Sequence, residues 1–333
     1  MNTETFRVDP VNPDPAIIAQ AAELLREGRL VAFPTETVYG LGANALDPVA
    51  VRSIFTAKGR PSSNPVIVHV AESSQVGNVA AEWPETAAQL AARFWPGPLT
   101  IVVPKKAGVP DEVTAGGPTV AVRCPNHPVA HALILAAGVP IAAPSANRST
   151  ELSPTRAEHV LKGLNGRIDL VLDGGPCTGG IESTVVDATG PVVRLLRPGL
   201  ITAHMLEEVV GRVETGANHE AVVRSPGQMA KHYSPKTPVV LAADADAEHK
   251  RLRDAGFRVI SVGTDLIWEY RSISDNPQEY AADLYALLHD LDNGNYDRIV
   301  IEMPPNTSEW AAVRDRLTRA ATDVIMNDSR PDA

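Results

Sequence analysis

The chain has 333 residues, 44% of them apolar and 5% aromatic, enough for one oversized or two ordinary cores built mainly from Val, Leu, Ile and Ala. Its net charge of −10 is uneven: residues 1–212 carry 17 Lys and Arg against 20 Asp and Glu, residues 213–333 carry 13 against 20. With no basic tail and no apolar run of transmembrane length, strong non-specific nucleic-acid binding and a helical membrane span are excluded. Two cysteines, Cys124 and Cys177, make neither a disulfide framework nor a CxxC pair. A reduced, cytoplasmic setting is expected, and the polar, Pro-rich stretch from Met1 to Pro15 has no signal-peptide pattern.

Taken in chain order, residues 1–15 read as an extended lead-in. Pro15 to Glu27 predicts an amphipathic helix capped by Asp14 and ended by Gly28. Leu30 to Phe33 is an apolar strand running into the hydroxyl-rich turn Pro34-Thr35-Glu36-Thr37-Val38-Tyr39-Gly40; alternation of Thr35, Thr37 and Tyr39 also fits one polar face of a strand. A helix from about Pro48 to Ala57 delivers Lys58 and Arg60 at its C-terminal end, and the β-branched strand Val66 to Val70 carries His69. Helices at Glu85–Phe94 and Pro128–Ala137 alternate with strands at Leu99–Val103, Thr119–Arg123 and Pro140–Ala143, the last followed by Pro144-Ser145-Ala146-Asn147. Residues 154–163 read as helix. Leu170–Asp173 and Ser183–Asp187 are strands around a Gly-rich turn, Val192–Leu196 leads to Arg197-Pro198-Gly199, and a short helix at 202–210 follows.

Residues 213–237 have the composition of a linker, but one with prolines and a His232-Tyr233 pair rather than the Gly/Ser of a flexible spacer. From Pro238 short strands and helices alternate: strands at Val239–Leu241, Phe257–Val262 and Arg298–Glu302, helices at Ala247–Ala255, Pro277–Asp290 and Glu309–Ala321. That pattern predicts a small parallel α/β layer domain. The boundaries expected are therefore 1–212, a linker at 213–237, and 238–333.

Thr35, Lys58, Arg60, His69, Arg123, Ser145, Asn147, Ser183 and Arg197 each stand at or just past an apolar run. In an open α/β sheet the loops beyond strand ends form the binding crevice. Any one of them has a plain structural explanation: a dipole-complementing Lys, a satisfied core His, a turn-capping Ser. Three arginines and a lysine gathered at strand ends of a slightly acidic domain point instead to a polyanionic small molecule, gripped bidentately by guanidinium and by ammonium as a point charge.

The motifs Pro34-Thr35-Glu36-Thr37-Val38-Tyr39-Gly40-Leu41, Lys58-x-Arg60-Pro61, Ser145-x-Asn147, Gly175-Pro176-Cys177, Gly180-Ile181-Glu182-Ser183-Thr184-Val185-Val186-Asp187 and Arg197-Pro198-Gly199 resemble, in this order, the threonylcarbamoyl-AMP synthase (YrdC-type) family in its longer two-domain form. Ser225-Pro226-Gly227 and His232-Tyr233-x-Pro235 resemble its interdomain signature, although Gln228-Met229-Ala230 departs from the Met-Lys-aromatic run expected there. The resemblance covers most of residues 15–237. It implies a YrdC-like twisted open mixed sheet with helices, plus a smaller Rossmann-like parallel α/β C-terminal domain. The activity it implies is synthesis of threonylcarbamoyl-AMP and pyrophosphate from L-threonine, bicarbonate and ATP with Mg²⁺. The product would pass to a separate transferase complex that modifies adenosine 37 of tRNAs reading codons that begin with A.

On that resemblance Lys58, Arg60 and Arg197 are expected on the triphosphate, Ser145 and Asn147 near the α-phosphate and ribose, and Ser62, Thr119 and Ser153 along the nucleotide. Thr35, His69, Arg123, the backbone at Ala143, and Ser183 are expected around threonine, with Arg123 on its carboxylate and His69 open to a role as base. His232 and Tyr233 are expected to cover the nucleotide as a lid. Lys58 and Arg197 are expected partly exposed in a cleft. No protein-held metal is expected, Mg²⁺ being carried by the phosphates.

Two other readings compete. An RNA-binding module is disfavoured by the acidic balance and the lack of basic-aromatic interleaving, leaving tRNA at most a weak partner. A carbamoyl transferase of the hydrogenase-maturation type would carry zinc-finger cysteines that this chain lacks. The acidic C-terminal domain, if it docks, favours a protein partner over tRNA, and no membrane partner is expected.

Overall fold

The computed structural model describes residues 2–215 and 234–326, which divide into two compact units. Unit one holds strands β1 (Glu4–Arg7), β2 (Val31–Phe33), β3 (Gly40–Asn44), β4 (Ile67–His69), β5 (Leu99–Pro104), β6 (Thr119–Arg123), β7 (Ile141–Ala142), β8 (Leu170–Asp173), β9 (Thr184–Asp187), β10 (Val193–Arg197) and β11 (Val213–Thr215). Its helices are α1 (Pro15–Arg26), α2 (Pro48–Lys58), α3 (Glu85–Phe94), α4 (Asp111–Thr114), α5 (Pro128–Ala137), α6 (Ala157–Leu164) and α7 (Ala203–Val210).

Local chemistry explains the helix ends. Asp14 and Asp47 accept from Ala16 N and Val49 N at 2.8 Å with Pro at the first helical position, and Gly59 closes α2 at φ +61°. That left-handed turn swings the chain from Lys58 to Arg60.

Among the described residues, the strands of this unit form one mixed sheet in the order β1-β8-β2-β3-β7-β4-β6-β5-β9-β10-β11. One core packs on Val68, Ile101, Val103, Val120, Val122 and Val186, while Ile67, Val102, Ala121 and Val185 form a smaller apolar patch on the opposite face of the same strands. The alternation of strand side chains makes this split.

Unit two holds β12 (Val239–Ala242), β13 (Val259–Gly263), β14 (Tyr270–Ser272), β15 (Arg298–Glu302) and β16 (Asp323–Ile325), paired in parallel in the order β14-β13-β15-β12-β16. Helices α8 (Ala245–Asp254), α9 (Pro277–Asp292) and α10 (Ala311–Ala320) accompany them. The mixed and parallel α/β classes are those expected.

Several elements differ from the sequence reading. The extended lead-in contains β1, which pairs in parallel with β8. Residues 40–44 form β3 between β2 and β7. A Cβ on Gly42 would lie 2.8 Å from Phe33 Cε1 and 3.0 Å from Ile141 Cγ2, so only glycine fits this crowded strand. Residues 35–38 are a turn, not a polar strand face: Thr35 Oγ1 accepts from Thr37 N and Val38 N and donates to Val38 O. β11 occupies the start of the stretch read as linker, and β14 and β16 are exposed edge strands. Among the described residues, no helix is long and apolar enough to cross a membrane.

Candidate active site

The polar groups converge on the face of the sheet that carries the smaller apolar patch. Register fixes a row across four strands: Val185 pairs with Thr100, Thr100 with Arg123, and Arg123 with His69. The next row is Asp187, Val102, Ala121 and Ile67. Thr119, Ala121 and Arg123 alternate onto one face of β6, so Thr119 shares the face with Arg123 but lies about 13 Å along the strand. The residues expected at strand ends thus line a sheet face as well as the loops beyond it.

Arg123 is the centre of the first cluster and is 4% exposed. Its Nε donates to Gly97 O at 3.3 Å and its Nη1 to Thr37 Oγ1 at 2.9 Å, and Thr37 Oγ1 is 2.9 Å from Thr35 Oγ1. Its Nη2 lies 2.7 Å from Glu36 Oε2. That contact is an ion pair without hydrogen-bond alignment: among the described residues, Nη2 and both Glu36 carboxylate oxygens make no hydrogen bond.

His69 is fully within the protein, edge-on to Phe33 with ring centroids 6.4 Å apart, and its Nδ1 makes no hydrogen bond among the described residues. Burial, then the neighbouring Arg123 charge, pushes its pKa down to about 3. The imidazole is neutral at physiological pH.

Ser183, just before β9, reaches Thr100 of this row by its side chain. Its Oγ is 2.8 Å from Thr100 Oγ1 and accepts from Arg197 Nη2 at 3.2 Å, while Arg197 Nε and Nη2 hold the Ser183 carbonyl at 3.1 and 2.9 Å. A register shift between Leu195 and Arg197 re-aims β10, pairing Arg197 with Val185. Gly199 is required beside it, since a Cβ there would lie 2.4 Å from Thr184 N.

The second cluster gathers on α2 and the loop after β7. Lys58 Nζ donates to Ser145 O at 2.6 Å, to Asn147 O, and to Asn147 Oδ1 at 3.2 Å. Ser145 Oγ donates to Asn147 Oδ1 at 2.6 Å, and Ser149 N donates to Lys58 O at 2.9 Å. Arg60 Nη2 donates to Asn64 O and Pro65 O at 3.3 and 3.0 Å. The two clusters meet through the β-bridge between Gly40 and Ser145 and the bond from Ala146 N to Tyr39 O at 2.8 Å.

The structure brings Thr35, His69, Arg123 and Ser183 together, with Ala143 adjoining as its N–H donates to Ile67 O at 2.8 Å. It groups Lys58 with Ser145 and Asn147, but sets Arg197 with Ser183. Ser153 is buried with its Oγ donating to Glu182 Oε1 at 2.5 Å, and Ser62 is exposed in a turn. Lys58 and Arg197 are 2% and 3% exposed, which corrects the expectation of partial exposure: their donors organise loops around the site. His232 and Tyr233 lie outside the described residues.

Sequence reasoning missed Glu36, Thr37 and Thr100 as members of the cluster. Glu36 and Thr37 stand inside a motif read for Thr35. Thr100 is an isolated hydroxyl in an otherwise apolar strand, a signal that register alone turns into a position.

Comparison with known proteins follows the same division. The family described as "Telomere recombination" matches residues 23–199, and "Threonylcarbamoyl-AMP synthase, C-terminal domain" matches residues 201–322. The threonylcarbamoyl-AMP synthase of Bacillus subtilis is 43% identical, over 96% of this chain and 98% of its own. That of Pyrococcus abyssi is 42% identical, over 90% and 93%. The crystal structure of P. abyssi Sua5 complexed with L-threonine superposes with a TM-score of 0.92 at 39% identity, covering 97% of this chain and 99% of that one.

Proposed function

The chain belongs to the threonylcarbamoyl-AMP synthase family, and from that premise we propose that the Arg123 cluster is the threonine pocket of an L-threonylcarbamoyladenylate synthase. The observation that carries the assignment is the set of buried polar atoms without hydrogen bonds on Glu36, His69 and Arg123, beside hydroxyls of Thr35, Thr37, Thr100 and Ser183. Buried polar atoms left unpaired cost free energy that a polar ligand recovers. A small hydroxy amino acid supplies a carboxylate for Arg123 and a hydroxyl for the neutral His69.

The reaction is L-threonine, bicarbonate and ATP giving threonylcarbamoyl-AMP and pyrophosphate. The threonine amine combines with bicarbonate to give the carbamate and water. A carbamate oxygen then bonds to the α-phosphorus, and the bond to pyrophosphate breaks. Such a transfer needs alignment and charge neutralisation rather than a protein nucleophile.

Within this proposal Lys58, Arg60 and Arg197 supply positive charge along the phosphates, and Lys58 also holds the Ser145–Asn147 loop in shape. Ser145 and Asn147 adjoin the α-phosphate, with Thr119, Ser62 and Ser153 as the outer nucleotide positions. His232 and Tyr233 form the lid. Mg²⁺ would enter with ATP, carried by its phosphates, and would neutralise charge on the departing pyrophosphate. Residues 1–215, which include β11 of the sheet, carry the chemistry, the rest of the linker to 237 supplies the lid, and 238–333 are a separate module. The free buried thiols Cys124 and Cys177 accord with a cytoplasmic enzyme, whose product goes to a tRNA threonylcarbamoyl transferase.

The test is pyrophosphate release from Mg-ATP with and without L-threonine and bicarbonate. Release that needs both supports the assignment. Release indifferent to threonine overturns it.

A further inference from the structure

Glu36 is the charged group of the pocket with the least to do. Its side chain is 11% exposed, and its one ion pair among the described residues is with Arg123 at 2.7 Å. Neither carboxylate oxygen receives a hydrogen bond among the described residues. Nearby hydroxyl donors are committed: Thr35 Oγ1 donates to Val38 O, which leaves the Thr37 hydroxyl to donate to Thr35 Oγ1 at 2.9 Å.

The backbone of Glu36 is clamped. Its carbonyl accepts from Gly179 N at 2.7 Å, and a Cβ on Gly179 would lie 2.9 Å from that oxygen and 2.7 Å from Leu200 Cδ1. Only glycine permits this approach, so the Gly-rich loop fixes the backbone from which the carboxylate reaches Arg123. Glu36 balances the charge of a buried guanidinium that would otherwise stand alone, a costly arrangement.

A ligand carboxylate arriving at Arg123 therefore meets a competitor. A ligand with a carboxylate alone leaves Glu36 buried with neither its cation nor a hydrogen bond. A zwitterion exchanges partners without adding net charge: its carboxylate goes to Arg123 and its ammonium donates to Glu36.

We propose that Glu36 is a specificity-determining residue, receiving the ammonium of the amino acid and making the pocket reject carboxylates that lack one. This rests on the threonine-pocket reading above and goes beyond it by assigning the amine end of the substrate.

The test is calorimetric titration of wild type, Glu36→Gln and Glu36→Asp with L-threonine and with 3-hydroxybutanoate, which keeps the carbon skeleton, hydroxyl and carboxylate but has no amine. A non-hydrolysable ATP analogue, titrated separately, reports an intact fold. Glu36→Gln is expected to weaken threonine on the order of ten- to a hundredfold, the range for a hydrogen bond to a charged group. The same variant is expected to bind 3-hydroxybutanoate more tightly than wild type, with the ATP analogue unchanged. Glu36→Asp, which keeps the charge, is expected to keep the preference for threonine even where Glu36→Gln folds poorly. Parallel weakening of both ligands by Glu36→Gln, threonine affinity within about twofold of wild type, or loss of the preference in Glu36→Asp overturns the proposal. Failure of the wild type itself to bind threonine would instead overturn the pocket reading.

Discussion

Two buried arginines, one in each unit, show what separates a structural ion network from a site. Arg316 on α10 is fully buried; its Nη1 donates to Asp315 Oδ2 at 2.6 Å, and Arg319 Nε donates to Asp315 Oδ1 at 2.9 Å. Burial raises the pKa of Asp315, but the charges of Arg316 and Arg319 and the bond from Arg319 outweigh it and hold the carboxyl below its ordinary value. Each Asp315 oxygen is used. Arg123 is buried too, at 4% exposure, yet its carboxylate partner Glu36 makes an ion pair with no aligned hydrogen bond. Burial and charge are common to both. Satisfaction is not, and an unsatisfied pair on a sheet face surrounded by hydroxyls is what a ligand completes.

The comparison is broken most severely by Arg123→Ala. Loss of the guanidinium removes the carboxylate partner and strands Glu36, so threonine-dependent pyrophosphate release is expected to fall by more than about a hundredfold, the equivalent of roughly 3 kcal/mol. Arg316→Met attacks the other member. Breaking a buried ion network by removing one partner is expected to cost about 3 kcal/mol in the unfolding of unit two, read by denaturant titration, with threonine affinity unchanged.

A smaller effect sharpens the electrostatics. His69 has its pKa lowered from 6.5 to about 3 in the folded protein, so below about 6.5 the unfolded chain binds a proton that the native state refuses. Stability from this group is complete above pH 6.5 and declines as the pH falls toward 3. His69→Gln is expected to reduce the slope of stability against pH in that window, checked by thermal unfolding at a series of pH values. An unchanged slope would mean that the imidazole is charged in the fold.

Much of the fold was legible because apolar periodicity and caps agreed: Glu85–Phe94, Thr119–Arg123, Pro128–Ala137 and Arg298–Glu302 have the bounds read from the chain. The strands that were missed carry no such signal. β3 begins Gly-Leu-Gly, is held by pairing with β2 and β7, and needs glycine at 42 where Phe33 and Ile141 crowd it; β14 and β16 are exposed edges stabilised by pairing rather than by pattern. In the site, cations at strand ends were readable as residue types. That Thr100, Arg123 and His69 form one cross-strand row was not, because register is a tertiary property. Nor was the bulge that turns Arg197 toward Ser183. Glu36 was hidden in plain sequence: a carboxylate inside a Thr-rich turn reads as surface until Arg123 arrives from a strand far along the chain.

The central claim is that the unsatisfied arginine marks the site and the satisfied one does not. Calorimetric titration of L-threonine into wild type, Arg123→Ala and Arg316→Met tests it directly. The account predicts saturable binding in wild type, the same affinity in Arg316→Met and no measurable binding in Arg123→Ala. Threonine binding that survives in Arg123→Ala, or that falls equally in both variants, would contradict it.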